Sequence, residues 1–164
     1  MLRVASYDIV FQEVPGQVTL ALNLSCCPNR CPGCHSPHLR EAIGETLDET
    51  MLTALLERYG KAITCVCFMG GDGDPAGIVQ LAAWVRQSPW SSLKTAWYSG
   101  RSSLPAGFDT SVLDYIKLGP YVESLGGLNR STTNQRFFQV TDSGLIDITY
   151  RFQKENNPIR SKDI

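Results

Sequence analysis

The spacing of hydrophobic residues predicts the strands of this chain. In residues 17–24, apolar and polar residues alternate, which is the period of a strand with one buried face. Residues 62–69 form a short continuous apolar run, typical of a strand that is covered on both faces. Residues 94–98 and part of 112–118 predict two more core strands, and the mixed segment 3–14 predicts a strand at the sheet edge.

Two segments between the predicted strands have the period of a helix. Apolar residues recur three and four positions apart within residues 51–59 and again within 75–87. Thr46 and Glu49 fit a capping box, in which the threonine accepts from the third helical amide and the glutamate reaches back. Pro75 is well placed at the first position of the second helix.

The order of these segments predicts the fold class. Strands alternate with helices, which favours an α/β fold with a mostly parallel sheet and functional loops at the C-terminal ends of the strands. Residues 125–136 are polar and aperiodic, so we expect a long functional loop there. Residues 137–141 and 145–150 flank a turn and predict a hairpin, and the charged end from residue 153 is expected to fray.

Composition and charge narrow the functional classes. With 164 residues, of which 43% are hydrophobic and 19% charged, the chain is predicted to be a single domain, residues 1–164. It has no apolar run of about 18 residues, so we expect no membrane span. The net charge of −1 gives no general attraction to nucleic acid. Residues 1–8 lack a secretory signal, which favours a cytoplasmic protein, where six cysteines indicate metal or redox chemistry.

Three cysteines follow the strand predicted in residues 17–24. Cys27, Cys31 and Cys34 are separated by three and then two residues, and two prolines and a glycine among them predict a rigid loop. Structural zinc normally takes four protein ligands, whereas an iron–sulfur cluster held by three thiolates keeps one iron open to a small molecule. We therefore expect an iron–sulfur cluster with an exchangeable position.

The other cysteines and the histidines leave alternatives open. Cys26 could compete with Cys27 as a ligand, and His35 could be the fourth ligand of a zinc site. Cys65 and Cys67 are two positions apart on a predicted buried strand, so their side chains share one face. Packing in the core is the preferred interpretation for both, with a redox or second-metal role as the alternative.

A glycine-rich segment follows the next predicted strand. Gly70 and Gly71 permit close approach of the backbone to a ligand, and Asp72 offers a negative charge to a cationic group. The alternative is a plain strand-to-helix turn. Asp74 follows closely and could instead cap the helix that begins at Pro75.

The two motifs together resemble those of the radical S-adenosylmethionine enzymes. A closer likeness is to the activating enzymes of the anaerobic ribonucleoside-triphosphate reductases, and it extends over about residues 7–140. The segments that carry it are CPGCHSP at 31–37, YSG at 98–100, GPY at 119–121 and TTNQR at 132–136. The resemblance implies a short partial (β/α) barrel with the cluster loop at the C-terminal end of its first strand.

The resemblance also implies a reaction. Cys27, Cys31 and Cys34 would hold a 4Fe–4S cluster, whose fourth iron binds the amino and carboxylate groups of S-adenosylmethionine. One electron would cleave the sulfonium bond to give methionine and a 5′-deoxyadenosyl radical, which removes a hydrogen from a glycine of the partner reductase. The electron donor would be a flavodoxin or a ferredoxin.

Seven residues would bind S-adenosylmethionine if the resemblance holds. Those of the glycine-rich segment would receive its methionine ammonium, and the others lie at later strand ends or in the long loop: Gly70, Gly71, Asp72, Tyr98, Ser99, Lys117 and Asn134. Gln135 and Arg136 could contact the cofactor or the partner. In the usual family pattern proline follows the acidic residue almost directly, whereas Gly73 and Asp74 intervene here, so either Asp72 or Asp74 could face the ammonium.

Two other functions remain open at this point. The chain could activate a different glycyl-radical enzyme, such as a pyruvate formate-lyase, although those activating enzymes are usually longer. It could also be a small zinc-binding interaction module that uses the three cysteines with His35 or Cys26. A zinc module has no need of Gly70, Gly71 and Asp72 at the next strand end.

Overall fold

The fold is described from a computed structural model, which places residues 1–153. The helices are α1, Glu49–Tyr59, and α2, Pro75–Gln87. The strands are β1 Arg3–Val10, β2 Thr19–Leu24, β3 Glu45–Thr46, β4 Cys65–Met69, β5 Lys94–Tyr98, β6 Tyr115–Leu118, β7 Arg136–Thr141 and β8 Gly144–Asp147. Short 3-10 turns occupy Pro37–Arg40, Thr110–Val112 and Thr149–Phe152.

All eight strands form one open mixed sheet in the order β3-β1-β2-β4-β5-β6-β7-β8. The α/β class is confirmed, but the prediction of a mostly parallel sheet is wrong. The three central pairs, from β2 to β6, are parallel, whereas the four outer pairs are antiparallel. Parallel neighbours need a crossover connection, and α1 and α2 lie in two of these connections. The outer pairs β1–β2 and β7–β8 are instead joined by short connections, β7 is reached by the long loop, and β3 is reached by residues 25–44.

The two faces of the sheet bury different side chains. Val66, Phe68 and Trp97 point into the larger core, which also contains the apolar faces of α1 and α2. Cys65 and Cys67 point to the opposite face, where the connection from β1 to β2 and the long loop close a smaller core. Burial on both faces explains why β4 reads as an uninterrupted apolar run.

The outer strands correct two expectations. β1 is not at the edge, because it pairs with β2 on one side and with the two-residue β3 on the other. The predicted hairpin is confirmed as β7 and β8, although residues 149–152 form a 3-10 turn instead of continuing the second strand. The expectation of a frayed end begins at residue 153, and all of its other residues, 154–164, lie outside the described part of the chain. No helix within residues 1–153 is long and apolar enough to cross a membrane.

The start of α1 differs from the predicted capping box. Thr46 belongs to β3, and the N-cap is Asp48, whose carboxylate accepts from the backbone N–H of Met51 at 2.9 Å. The pairing of Thr46 with Arg3 in the sheet moves the helix start two residues along the chain. A carboxylate at this position also stabilises the partial positive charge of the helix N-terminus.

Replacing Asp48 with alanine should lower the free energy of unfolding by about 1 kcal/mol, because the Met51 amide loses its acceptor. Thr46→Ala is the matched control, since its side chain caps no helical amide and should cost less. Urea denaturation followed by circular dichroism measures both changes. A larger loss for Thr46→Ala would contradict the assignment of the cap.

Candidate functional site

The candidate site lies where the parallel strands end. Residues 27–34, the cysteine loop, follow β2. Asp72 follows β4, Ser99 follows β5, and Lys117 is the penultimate residue of β6. Because the C-terminal ends of parallel strands meet at one edge of a sheet, these segments lie side by side. The three cysteines therefore lie after β2, the first of the parallel strands along the chain.

Two hydrogen bonds link the cysteine loop to the residues that follow it. The Cys27 N–H donates to Leu39 O at 2.9 Å, and the Arg40 guanidinium donates to Cys31 O at 3.3 Å. Cys26 has a φ of 60°, a left-handed conformation that costs about 1–2 kcal/mol for a residue with a side chain. Strain of this kind persists only where the surrounding contacts hold the backbone in place.

The three predicted ligands are free thiols with partly exposed side chains. Burial raises the pKa of Cys27, the hydrogen bond to Asn29 O lowers it, and the nearby charges of Asp72, Cys31 and Cys34 raise it further. Within residues 1–153, however, no three His, Cys, Asp or Glu side chains are arranged to hold a metal ion. Three thiolates are nevertheless a donor set whose chemistry suits an iron–sulfur cluster.

Asp72 is the centre of a buried hydrogen-bond network. Its side chain is 1% exposed, and its Oδ1 accepts from Ser99 Oγ at 2.6 Å. Its Oδ2 accepts from Asn29 Nδ2 at 2.6 Å and from the Gly100 N–H at 2.8 Å. The Arg101 guanidinium donates to the backbone carbonyl of Asp72 at 2.9 Å. Asp72 thus joins the cysteine loop to the end of β5.

The structure separates the roles of the two aspartates. Asp74 is the N-cap of α2, where its Oδ1 accepts from the Gly77 N–H at 3.0 Å. Its other oxygen lies 3.1 Å from the Met1 ammonium, and together these contacts lower the pKa of Asp74. Gly73 lies beneath the cysteine loop, since a Cβ there would be 3.5 Å from Cys26 O. Only Asp72 of the two carboxylates takes part in the network with the cysteine loop.

Gly70 and Gly71 have backbone conformations that favour glycine, with φ of 105° and 85°. A Cβ on Gly71 would lie 2.9 Å from Ile78 Cδ1, so the packing of the larger core also requires its absence. Gly70 O accepts from Trp97 Nε1 at 2.7 Å. Gly71 O accepts from the Asp74 N–H at 3.0 Å. The glycines therefore shape the turn and pack it on the core, and both of their carbonyls already have a partner.

Lys117 brings a buried positive charge to the site. Its side chain is 8% exposed, and Nζ donates to Gly119 O at 2.7 Å and to Ser99 O at 3.2 Å. Within the described chain, no carboxylate lies within 4.0 Å of this ammonium. Burial lowers the pKa of Lys117 to about 8, while the charges of Asp72 and Cys31 act in the opposite direction.

Lys117→Met should raise the free energy of unfolding of the metal-free protein near neutral pH by about 1–3 kcal/mol, because the variant buries no charge. The pKa of Lys117 is about 8 in the folded protein and near 10.4 in the unfolded chain, which therefore binds more protons between these values. Wild-type stability should consequently rise with pH through this window. Urea titrations at several pH values should find a flatter profile for Lys117→Met, and an unchanged profile would contradict the assignment.

Tyr98 lies on the same face as Lys117 but turns its hydroxyl away from the cysteine loop. The hydroxyl donates to Glu13 O in the smaller core, and burial raises the pKa of Tyr98 well above its usual value. The ring packs edge-on against Phe137, and Lys117 Nζ lies 5.8 Å from its centre. Tyr98 therefore lines the site through its ring.

The long loop contributes Asn134 beside the end of β6. Asn134 Nδ2 donates to Pro120 O at 3.0 Å, whereas its Oδ1 is buried and accepts from no group in residues 1–153. Gln135 is buried, and its N–H donates to Thr133 Oγ1 at 3.0 Å. Arg136 is in β7, where its guanidinium lies 3.8 Å from Asp147. Within residues 132–136, Asn134 therefore has a fully buried side-chain oxygen with no hydrogen-bond partner in residues 1–153.

The other three cysteines and the two histidines differ in burial and in their position relative to the three predicted ligands. Cys65 and Cys67 are fully buried in the smaller core, as core packing predicts, and burial raises the pKa of Cys65 to about 12. Cys26 is exposed. The His35 ring lies 4.9 Å from that of Tyr121, which joins the cysteine loop to the segment after β6. His38 is exposed on a 3-10 turn.

Sequence reasoning overlooked Asn29 and Arg101, which both bond to Asp72. Nothing in their spacing identifies them, because the contact partners are more than 25 residues away along the chain.

Comparisons with protein-family models, curated proteins and solved structures found no match for the chain.

Proposed function

We propose that this protein is a radical S-adenosylmethionine enzyme that installs a glycyl radical on an anaerobic ribonucleoside-triphosphate reductase. One observation carries the proposal. Three free, partly exposed thiols share a sheet edge with a buried carboxylate, Asp72, and a buried ammonium, Lys117. The choice of this particular activity rests on the motif resemblance over residues 7–140. The proposal also includes a partial-barrel fold and a location in the reducing cytoplasm.

The thiolates of Cys27, Cys31 and Cys34 would hold a 4Fe–4S cluster. When bound, this cluster would supply the electron that cleaves S-adenosylmethionine to methionine and a 5′-deoxyadenosyl radical. The position of the thiols on an exposed loop at the strand ends supports access by a second protein. Such access is needed if a glycine of the partner reductase is to meet the radical and if a flavodoxin or ferredoxin is to deliver the electron.

The charged groups of the site match the methionine part of S-adenosylmethionine. A carboxylate has about four acceptor positions. Asp72 uses three of them, which leaves one on Oδ1 for the methionine ammonium. Lys117 offers a positive charge without a carboxylate partner in residues 1–153 and so suits the methionine carboxylate.

The other predicted cofactor-binding residues have narrower roles in this proposal. Ser99 orients Asp72 through its hydroxyl, and Gly70 and Gly71 shape the turn that presents it. Asn134 offers its unused Oδ1 to a donor such as a ribose hydroxyl. Tyr98 contributes its ring beside Lys117, because its hydroxyl is already bonded to Glu13 O.

Anaerobic purification tests the proposal directly. The protein should be brown and contain about four irons and four sulfides per chain after reconstitution. Colourless protein with one zinc per chain would instead identify a zinc-binding module. Incubation with S-adenosylmethionine, a reductant and the triphosphate reductase should produce a glycyl-radical doublet in electron paramagnetic resonance. A doublet with only a pyruvate formate-lyase would assign a different glycyl-radical enzyme as the partner.

A further inference from the structure

Among residues 1–153, a single hydrogen bond links the tip of the cysteine loop to the rest of the site. Asn29 lies between Cys27 and Cys31, and its Nδ2 donates to Asp72 Oδ2 at 2.6 Å. Residues 25–44 connect β2 to β3. In the described part of the chain, the Asn29 bond is the only hydrogen bond from residues 27–34 to a residue outside that connection. The hydrogen bonds to Leu39 and from Arg40 both lie within residues 25–44. They therefore cannot fix the distance between the cysteine loop and β4.

The neighbouring backbone is shaped around this contact. A Cβ on Gly100 would lie 2.6 Å from Asn29 Nδ2 and 3.3 Å from Asp72 Oδ2. Glycine at this position therefore leaves room for the amide to reach the carboxylate while its own N–H donates to the same oxygen. Hydrogen bonds to an ionised acceptor are about twice as strong as those between neutral groups. The contact is thus both sterically permitted and electrostatically favoured.

We propose that Asn29 is a positioning residue that holds the three thiols at a set distance from Asp72. Its amide fixes the tip of the loop, while the hydrogen bond from the Cys27 N–H to Leu39 O fixes its base. The functional consequence rests on the proposed function: the group that receives the methionine ammonium and the thiols that hold the cluster are kept in one arrangement. The positioning itself is a property of the metal-free chain.

Hydrogen exchange of the reduced, metal-free protein tests this role without any cofactor. Asn29→Ala should speed exchange of the amides in residues 27–34 by about tenfold, because the loop opens more often when the charge-assisted bond is lost. Asn29→Asp should speed it further, since two carboxylates would face each other across 2.6 Å. Alkylation of Cys27 and Cys31 by iodoacetamide in Asn29→Ala, read by peptide mapping, should accelerate similarly.

The chain provides controls for both readouts. Asn129→Ala removes an exposed asparagine from the long loop and should leave exchange in residues 27–34 unchanged. Cys65 and Cys67 are buried, so they should remain unmodified while the loop opens locally. Faster alkylation of Cys65 in step with Cys27 would overturn the proposal, because it would indicate general unfolding. Unchanged exchange in both Asn29 variants would also overturn it.

The outcome is distinguishable from a failure of the proposed function. If Asn29→Ala loosens the loop but the wild-type protein binds no iron, the positioning role stands and the radical function falls. If the wild-type protein binds about four irons and exchange in both Asn29 variants is unchanged, the function stands and the positioning role falls.

Discussion

Cys31→Ala should abolish both the cluster and the glycyl-radical signal. Cys31 is the central member of the three cysteines, and a cluster that keeps one exchangeable iron has no spare protein ligand when one thiolate is removed. The variant should be colourless after anaerobic reconstitution, and the electron paramagnetic resonance doublet should fall to background. Cys27→Ala and Cys34→Ala should give the same result.

Two further variants make this experiment decisive. Cys65→Ala removes a buried thiol from the smaller core and should leave iron content and the radical signal largely intact. Cys26→Ser tests the neighbouring exposed thiol, which is expected to be dispensable because Cys27 keeps the motif spacing. A surviving signal in Cys31→Ala, or a loss in Cys26→Ser with none in Cys27→Ala, would refute the ligand assignment.

Asp72→Ala should lower the free energy of unfolding by about 3–5 kcal/mol and abolish radical formation. Three donors, from Asn29, Ser99 and Gly100, lose their acceptor, and an unsatisfied buried donor costs about 1–3 kcal/mol. The same change removes the negative charge assigned to the methionine ammonium. Denaturant unfolding measures the first effect, and the amount of 5′-deoxyadenosine formed measures the second.

Asp74→Ala is the matched control for this variant. It removes the N-cap of α2 and should cost about 1 kcal/mol, with S-adenosylmethionine cleavage retained. A result in which Asp74→Ala abolishes cleavage and Asp72→Ala does not would exchange the roles of the two carboxylates. Asp72→Asn adds a finer comparison, since it keeps the size of the side chain and removes its charge.

Local patterns predicted most of the central sheet. The bounds of β5 and α2 match the predicted segments, because alternation and helical spacing directly reflect which side chains face a core. The start of α1 was predicted wrongly, because Thr46 and Asp48 are both good capping residues and the choice depends on pairing with β1. Of the four antiparallel outer pairs, only the β7–β8 hairpin was predicted, because the other three depend on the strand order of the whole sheet.

The candidate site could likewise be predicted only in part. The placement of the cysteine loop after β2 and of Asp72 after β4 followed from strand prediction and from the common edge of parallel strands. The orientation of Tyr98 toward Glu13 did not follow, because the partner lies 85 residues earlier in the chain. The bond from Asn29 to Asp72 spans 43 residues and was equally hidden.

The sequence by itself determined the donors: three thiols at set intervals, two glycines that permit a tight turn, and two nearby carboxylates. Spacing along the chain suffices for this, because backbone geometry limits where neighbouring residues can point. Only the tertiary structure decided which carboxylate serves the cysteine loop. Asp72 and Asp74 have the same chemistry, and they differ because one meets Asn29, Ser99 and Gly100 across the sheet edge while the other meets the first turn of α2.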